Sequence, residues 1–491
     1  MRLWKKIVLG IGVFVIVLGG VFVVFVGPWP TYSAGFEGTR YFSDAVAAID
    51  KNVKQCEITN APGRLQAGWG VAKVTPPVGT PLAGYGARRG RPSTGVHDDL
   101  YVKAVAFSDG KDTAVVLGAD ILLVPPNVAD AVRAEVAKQT PLTANNLFFT
   151  ASHTHDGPGG LGEGIMAKTA FGKYDPKIPE LLAQAFTSAV IDAYKSLGPA
   201  KMAHGKANAE QFVRNRARQG PVDPDLNFMI IEKDDGKRCY VVRFSAHPTI
   251  LSDDNMQFSA EYPGYLQRAI EAATGGMAVY LGGAVGSMGP RAPDAPDPFA
   301  RCEAMGEGLA SLVLNATRSQ VQLGNEHDLN FVSNADVVSV GVGFQLPPLQ
   351  LRPSSTKWRL SPFLAKIAGM RGTGWMTAVR VGDVMFVNSP GDFSGEISLT
   401  WKDWAKGKGY DLWVSGFSGE YAGYISPDKY YQEVRDEKGR VEYETGMMSW
   451  TGPHQEAFFT SLMKHMVESM GAPSGTQQAQ QGAALNAAPV S

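Results

Sequence analysis

TAVVLGADILLVPPNVADAVRAEVAK, residues 113–138, begins as a strand and ends as a helix. Residues 113–117 are a short run of β-branched and small apolar side chains, the make-up of a buried strand. Residues 128–138 carry a helical alternation of apolar and charged positions. The same order recurs at 277–281 and, after a loop, at 300–314. Strand-like runs alternating with helical ones predict an α/β fold, a mixed β-sheet core with flanking helices. No internal repeat interrupts the pattern.

Several of these runs end in a Gly- or Pro-rich loop that carries a chemically capable side chain. Residues 147–150 lead into ASHTHDGPGG (151–160), and 240–244 lead into Ala246-His247-Pro248-Thr249. Residues 277–281 lead into GGAVGSMGP (282–290), and 384–387 into Ser389-Pro390-Gly391-Asp392. Residues 412–414 lead toward Glu420-Tyr421-Ala422-Gly423-Tyr424. In α/β sheets ligands bind outside the carboxyl ends of the strands, so five such loops side by side would converge on one site.

The bulk numbers are those of a folded protein: 491 residues, 44% hydrophobic and 19% charged. A formal net charge of −1 and the lack of a long basic run give no drive toward nucleic acid. Cys56, Cys239 and Cys302 allow at most one internal disulfide and exclude a zinc site built from four thiolates.

Residues 7–27 carry no charge and are long enough to cross a bilayer as a helix. Arg2, Lys5 and Lys6 precede them, which favours a cytoplasmic stub over 1–6 and an extracytoplasmic body, periplasmic or extracellular. A cleaved signal peptide ending near Ser33 and Ala34 is the competing reading, but the apolar stretch exceeds the usual cleavable length. Residues 28–66 read as a juxtamembrane linker with one helical stretch over 42–49, and 67–471 as the main folded domain. The sequence APSGTQQAQQGAALNAAPVS (472–491) reads as a disordered tail.

His153 and His155 stand two apart at a strand end and would project to one side. Imidazole is the commonest protein metal ligand. Taken singly, each candidate has an ordinary alternative. An HxH pair can be a core and a turn residue, His247 a lone histidine before proline, and Asp392 a cap for the helix that follows. Their combination is what points to a metal.

The residues also carry a resemblance. Gly70-Val71-Ala72-Lys73-Val74-Thr75-Pro76-Pro77-Val78-Gly79 and Leu82-Ala83-Gly84-Tyr85-Gly86 resemble the opening of neutral ceramidase catalytic domains. Gly95-Val96-His97-Asp98, Ser152-His153-Thr154-His155-Asp156-Gly157-Pro158-Gly159, Asn215-Arg216 and Ala246-His247-Pro248-Thr249 follow in the family's order. Gly289-Pro290, Pro390-Gly391-Asp392, Tyr421-Ala422-Gly423-Tyr424, Tyr443-Glu444 and Gly452-Pro453 complete it over residues 68–470. The family's C-terminal β-sandwich, found in longer members, has no room here.

The resemblance implies one zinc ion on His153, His247, Asp392 and Tyr424. His155 would contact substrate, and Arg216 and Tyr443 would stand near the scissile carbonyl. Two departures accompany it. Asp392 replaces the family's glutamate, one methylene longer, with Glu396 as the fallback ligand. The family's nucleophile motif, Gly-Asp-Val-Ser-Pro, aligned on Pro290 puts Gly289 at the serine, and Ser287 takes that role only if the loop shifts by two residues.

The expected chemistry is amide hydrolysis by zinc-activated water, on a lipid-like N-acyl substrate. Tyr443 or Arg216 would stabilise the oxyanion, and His155 would shuttle the proton. Between Val337 and Gly382 stand Arg352, Lys357, Arg359, Lys366, Arg371 and Arg380 with no acidic residue. The segment 352–371 is therefore a second candidate membrane contact beside the N-terminal helix, or a solvated face of the domain. The rival functions are an esterase or amidase acting on a non-lipid substrate and a catalytically inactive metal-binding or sensor protein.

Overall fold

The computed structural model describes residues 3–471 except 57, 59–61, 322–330, 354–357, 434, 436–438 and 440. The tail expected over 472–491 lies outside the described residues, as do Arg2 and Lys357.

Eight strands form the first sheet. In chain order they are β1 Gln66–Lys73, β2 Tyr101–Ser108, β3 Thr113–Ala119, β4 Leu147–Ala151, β5 Gly198–Asn208, β6 Asp225–Lys233, β7 Arg238–Phe244 and β8 Met277–Gly282. Their spatial order is β8-β7-β6-β5-β1-β2-β3-β4. The outermost pairs, β7–β8 and β3–β4, are parallel, and the joints between them are antiparallel. The sheet curls until its two ends approach. Thr150 Oγ1 donates to the Gly282 carbonyl at 3.3 Å, and a Cβ on Gly282 would collide with the Ala151 carbonyl oxygen. Glycine is required at that contact because the backbones touch. The curl carries the ends of β4, β7 and β8 to one place.

The second sheet has four strands, β9 Val337–Gln345, β10 Thr373–Val381, β11 Val384–Asn388 and β12 Asp411–Ser415, in that order. Its inner face packs on the first sheet through Val337, Val379, Val381, Phe386 and Trp413, which share a cluster with Val105, Phe107, Phe148 and Met202. Phe386 is fully buried between Phe148 and Trp413, and burying such a side chain stabilises by roughly 1.5–3 kcal/mol. The strands that carry the five loops thus lie in two facing sheets, not in one row.

Helices cover both outer faces and give four layers. α3 Pro126–Gln139 and α4 Lys177–Lys195 cover the β1–β4 end of the first sheet, and α5 Glu261–Thr274 and α6 Pro298–Val321 cover the β6–β8 end. α2 Arg40–Val53, α7 Gly395–Lys406 and α8 Gln455–Ser469 back the second sheet. α2 lies inside the stretch read as a linker. Ala45 and Ile49 are buried one turn apart, and Phe36 packs edge-on against Phe458, so this stretch lies against the body. α1 Leu3–Phe25 stands clear of the body over most of its length. Its span Trp4–Phe25 is long and apolar enough to cross a membrane, and its side chains are exposed.

The basic count of 337–382 is a poor guide to its surface. Arg352, Arg359 and Arg380 are buried, and Arg352 donates to the Tyr431 and Thr445 carbonyls. Arg380 pairs with Asp336 at 2.5 Å and donates to the Met470 carbonyl at 2.6 Å. A guanidinium has five donors and can satisfy several buried carbonyls at once.

Candidate metal centre

β4 ends at Ala151, and the chain then turns sharply. His153 takes φ 69°, a left-handed conformation unusual for a residue with a Cβ. Strand alternation therefore does not aim the two histidines; the turn does. The His153 and His155 rings meet nearly edge-on at 5.1 Å, and the His247 ring, delivered by the loop after β7, lies 4.4 Å from His153. Phe417, itself at φ 66°, stacks flat on His153 at 4.2 Å and fixes its plane.

Hydrogen bonds settle which ring nitrogens face inward. His153 Nδ1 lies 2.6 Å from the Leu122 carbonyl oxygen and His247 Nδ1 3.3 Å from that of Val285. A carbonyl only accepts, so each Nδ1 carries a hydrogen; in the neutral ring of His247 the Nε2 then presents a lone pair, and in His153 it is Nε2 that turns toward Asp392. His153 Nε2 faces Asp392 Oδ1 at 3.2 Å, and among the described residues no group donates a well-aligned hydrogen bond to that oxygen. His247 Nε2 stands 3.0 Å from His155 Nε2. The donor atoms of the three histidines lie within 4.8 Å of one another. Two ligands on a tetrahedral zinc at bonds of about 2.05 Å would sit roughly 3.3 Å apart, so the donor set fits such an ion.

Asp392 comes from the other sheet. It follows β11, its backbone pairs with Tyr424, and its Oδ2 accepts from Tyr421 at 2.6 Å. The Tyr-Ala-Gly-Tyr motif thus puts Tyr421, not Tyr424, on the carboxylate. Tyr421 has no role in the sequence-based expectation, because the motif does not distinguish its two tyrosines. Tyr424 instead accepts from Arg216 Nη2 at 2.9 Å and meets the Tyr443 ring edge-on at 5.5 Å.

Arg216 is placed by its neighbours on both sides. Val213–Asn215 pairs with Met288–Pro290, the Arg216 amide donates to the Ser287 carbonyl, and Arg216 Nε donates to Gly286 O at 3.0 Å. Glu444, buried 3.9 Å from Arg216 Nε, has its carboxyl pushed up to about 8 by burial, against the pull of the arginine. Burial works against the charge on Arg216, but Tyr424, Glu444 and Asp392 outweigh it and hold the guanidinium charged. Tyr443, 51% exposed, marks where this wall reaches solvent.

Burial, with His153 and Arg216 nearby, lowers the pKa of His155 and of His247 well below the ordinary range, so both rings are neutral at pH 7. Tyr85 lies over His155 at 4.6 Å, and a Cβ on the preceding Gly84 would strike the His155 ring. Behind the histidines, Asp156 is bound by Arg88 at 2.6 Å and by Asn255 at 2.8 Å. The sequence gives no signal for Arg88 beyond its place after the Gly84-Tyr85-Gly86 run.

Ser287 lies at the opposite side of the loop. Its hydroxyl contacts Ser394 Oγ at 3.1 Å and accepts from the Gly395 amide at 3.1 Å, at the start of α7. Gly289 pairs with Arg214 in the short two-stranded ladder. Glu396 reaches outward to Lys429. Thus the structure gathers His153, His155, His247 and Asp392, sets Arg216, Tyr424 and Tyr443 along one wall, and leaves Ser287 and Glu396 in other contacts.

The comparisons with known proteins agree with this architecture. The family described as neutral/alkaline non-lysosomal ceramidase, N-terminal, matches residues 65–284, a stretch that holds the three histidines and Arg216 but stops before Asp392. The chain is 25% identical over 240 residues to the neutral ceramidase of Mycobacterium tuberculosis, covering 45% of this chain and 37% of that protein. It is also 25% identical over 221 residues to neutral ceramidase A of Dictyostelium discoideum, covering 41% and 31%. The aligned stretches thus span about a third of these relatives' length. The crystal structure of neutral ceramidase from Pseudomonas aeruginosa superposes with a TM-score of 0.69 at 17% identity, over 84% of this chain and 75% of that one. A ceramidase complexed with C2 gives the same TM-score of 0.69 at 16% identity, over 83% and 75%. Residues 65–284 thus match the neutral/alkaline ceramidase N-terminal family model, and the chain has the fold of the neutral ceramidase crystal structure.

Proposed function

We propose that the chain is a membrane-anchored hydrolase that cleaves the amide bond of an N-acyl lipid, using one zinc ion held by His153, His247 and Asp392. The observation that carries this reading is the 3.2 Å approach of His153 Nε2 to Asp392 Oδ1. A buried imidazole and a buried carboxylate face each other there, an arrangement that a cation between them, or a proton on the imidazole, stabilises. Tyr424, paired through its backbone with Asp392, stands beside this set with its hydroxyl bound by Arg216. Zinc in such a donor set polarises a carbonyl oxygen and lowers the pKa of water to about 7.

The chain's own residues do the rest. Arg216, positioned by its hydrogen bond to Tyr424 and by Glu444, orients the scissile carbonyl and, with Tyr443, donates hydrogen bonds to the oxyanion. His155 moves the proton. Its Nδ1 is buried without a hydrogen-bond partner among the described residues, and a neutral ring is free to take a proton and pass it to the leaving amine. Ser287, engaged at the start of α7, serves structure, so water is the nucleophile. Trp4–Phe25 is the uncleaved anchor, with the body outside the cytoplasm.

Turnover of a panel of N-acyl lipids and matched esters by the purified full chain, beside His153→Ala, tests this reading. Amide release that depends on acyl length and disappears in the variant is the expected result. Turnover of esters alone would make the chain an esterase on the same scaffold. Retained metal with no turnover of any amide or ester would make it a binding protein.

A further inference from the structure

We infer that the edge of the domain where α1 emerges is a lipid-seated collar that holds the body at a fixed angle to the bilayer and abuts the Gly84-Tyr85 turn over His155. This deepens the reading of the chain as an anchored lipid hydrolase and rests on it. The anchor does not end in a free leash. The Val26 carbonyl accepts from the Ser361 amide at 3.0 Å, and the Val24 carbonyl from Ser361 Oγ at 2.7 Å. Trp29 and Arg359 then exchange two backbone hydrogen bonds, at 2.9 and 3.0 Å. Further on, Tyr32 N donates to Gln350 Oε1 at 2.9 Å, and Ser33 O meets His454 Nε2 at 3.1 Å. A chain bonded to the body at each of these points transmits its direction to the body.

The surface around that exit is apolar. Phe363 packs on Phe25 at 5.6 Å and is still 48% exposed; Ile367, one turn on in the helix Pro362–Ile367, is 66% exposed. Ile165, 69% exposed, opens the neighbouring helix Ile165–Phe171, and a Cβ on Gly164 would lie 3.0 Å from the Ala368 carbonyl oxygen. Large aliphatic side chains this exposed, continuous with the lipid-facing residues of α1, suit the headgroup–acyl boundary. The exposed Lys366 stands among them with a charge suited to anionic headgroups.

The collar is joined to the centre. The Ala170 carbonyl at the end of the helix Ile165–Phe171 accepts from the Gly84 amide at 3.0 Å, and Gly84 and Tyr85 cover His155. A lipid chain that enters between these short helices would therefore meet the Gly84-Tyr85 turn that covers His155.

Two readouts on the full chain in phospholipid vesicles test this. The first needs no activity. An environment-sensitive fluorophore on Ile367→Cys, with Asp235→Cys on the exposed turn after β6 as control, is quenched by lipids brominated along the acyl chain. Quenching at least about threefold stronger at position 367 is expected, and equal quenching at both overturns the collar. The second uses Phe363→Asp/Ile367→Asp. Cleavage of a long-chain N-acyl amide in vesicles should fall about tenfold, with a short soluble amide within about twofold of wild type. Equal loss on both substrates overturns the entry role. If no amide is turned over at all, the proposed function fails, while the quenching still decides whether this edge is seated in lipid.

Discussion

The two sheets contribute unlike halves of the centre. The eight-stranded sheet delivers His153 and His247, each locked by a main-chain carbonyl, Leu122 for one and Val285 for the other. The four-stranded sheet delivers Asp392, locked by the Tyr421 side chain. A carbonyl cannot be removed by substitution, whereas a phenol can. The imidazole half is therefore rigid by construction, and the carboxylate half is adjustable. An aspartate stands where the family pattern has glutamate, and it lies in this adjustable half.

The largest effect should come from breaking the rigid half. His247→Ala should lose the metal and reduce turnover by about a thousandfold, measured by steady-state kinetics with metal added back. The adjustable half should yield more gradually. Tyr421→Phe keeps the carboxylate and removes only the bond to Oδ2, so zinc affinity measured by competition with a chelator should fall about 10- to 100-fold. If Tyr421→Phe instead matched His247→Ala in severity, the contrast between the two halves would be lost.

Contacts at the seam of the sheets should sharpen the comparison without touching the chemistry. Ser287→Ala removes the acceptor for the Gly395 amide and should cost about 1–2 kcal/mol in denaturant unfolding, with kcat/KM nearly unchanged. A collapse of kcat with stability intact would restore Ser287 as nucleophile. The smallest effect concerns pH. His204 on β5 meets Asp383, in the turn between β10 and β11, at 3.0 Å and Asp411, at the start of β12, at 3.3 Å. Burial alone would lower its pKa, but the two carboxylates push it up to about 9. Its folded pKa exceeds the unfolded value near 6.5, so its stabilisation is full below about pH 6.5 and disappears as pH rises through about 9. Wild type should lose about 1 kcal/mol over that window, after allowance for solvent screening, and His204→Gln should not.

What the sequence made legible follows from which interactions are local. The strand–loop endings at 147–160 and 246–249 are written in adjacent residues, so the imidazoles could be named from their motif. Asp392 could be named as well, but the packing of one sheet on the other, which brings it to His153, depends on Phe148, Phe386 and Trp413, far apart in the chain. The left-handed turn at His153 left no trace, because that residue type does not favour it. The basic stretch was only partly legible for a related reason. Charge is countable in sequence, but whether an arginine faces water depends on distant carbonyls such as those of Tyr431 and Met470.

The proposed centre requires one cation shared by side chains from both sheets. Elemental analysis of the full chain, purified without added chelator, tests it most directly beside His153→Ala, His247→Ala and Asp392→Asn. We predict one zinc per wild-type chain and a clear loss in every variant, the aspartate variant included. Wild-type protein with no bound metal, or an Asp392→Asn protein that keeps its zinc as tightly as wild type, would contradict it.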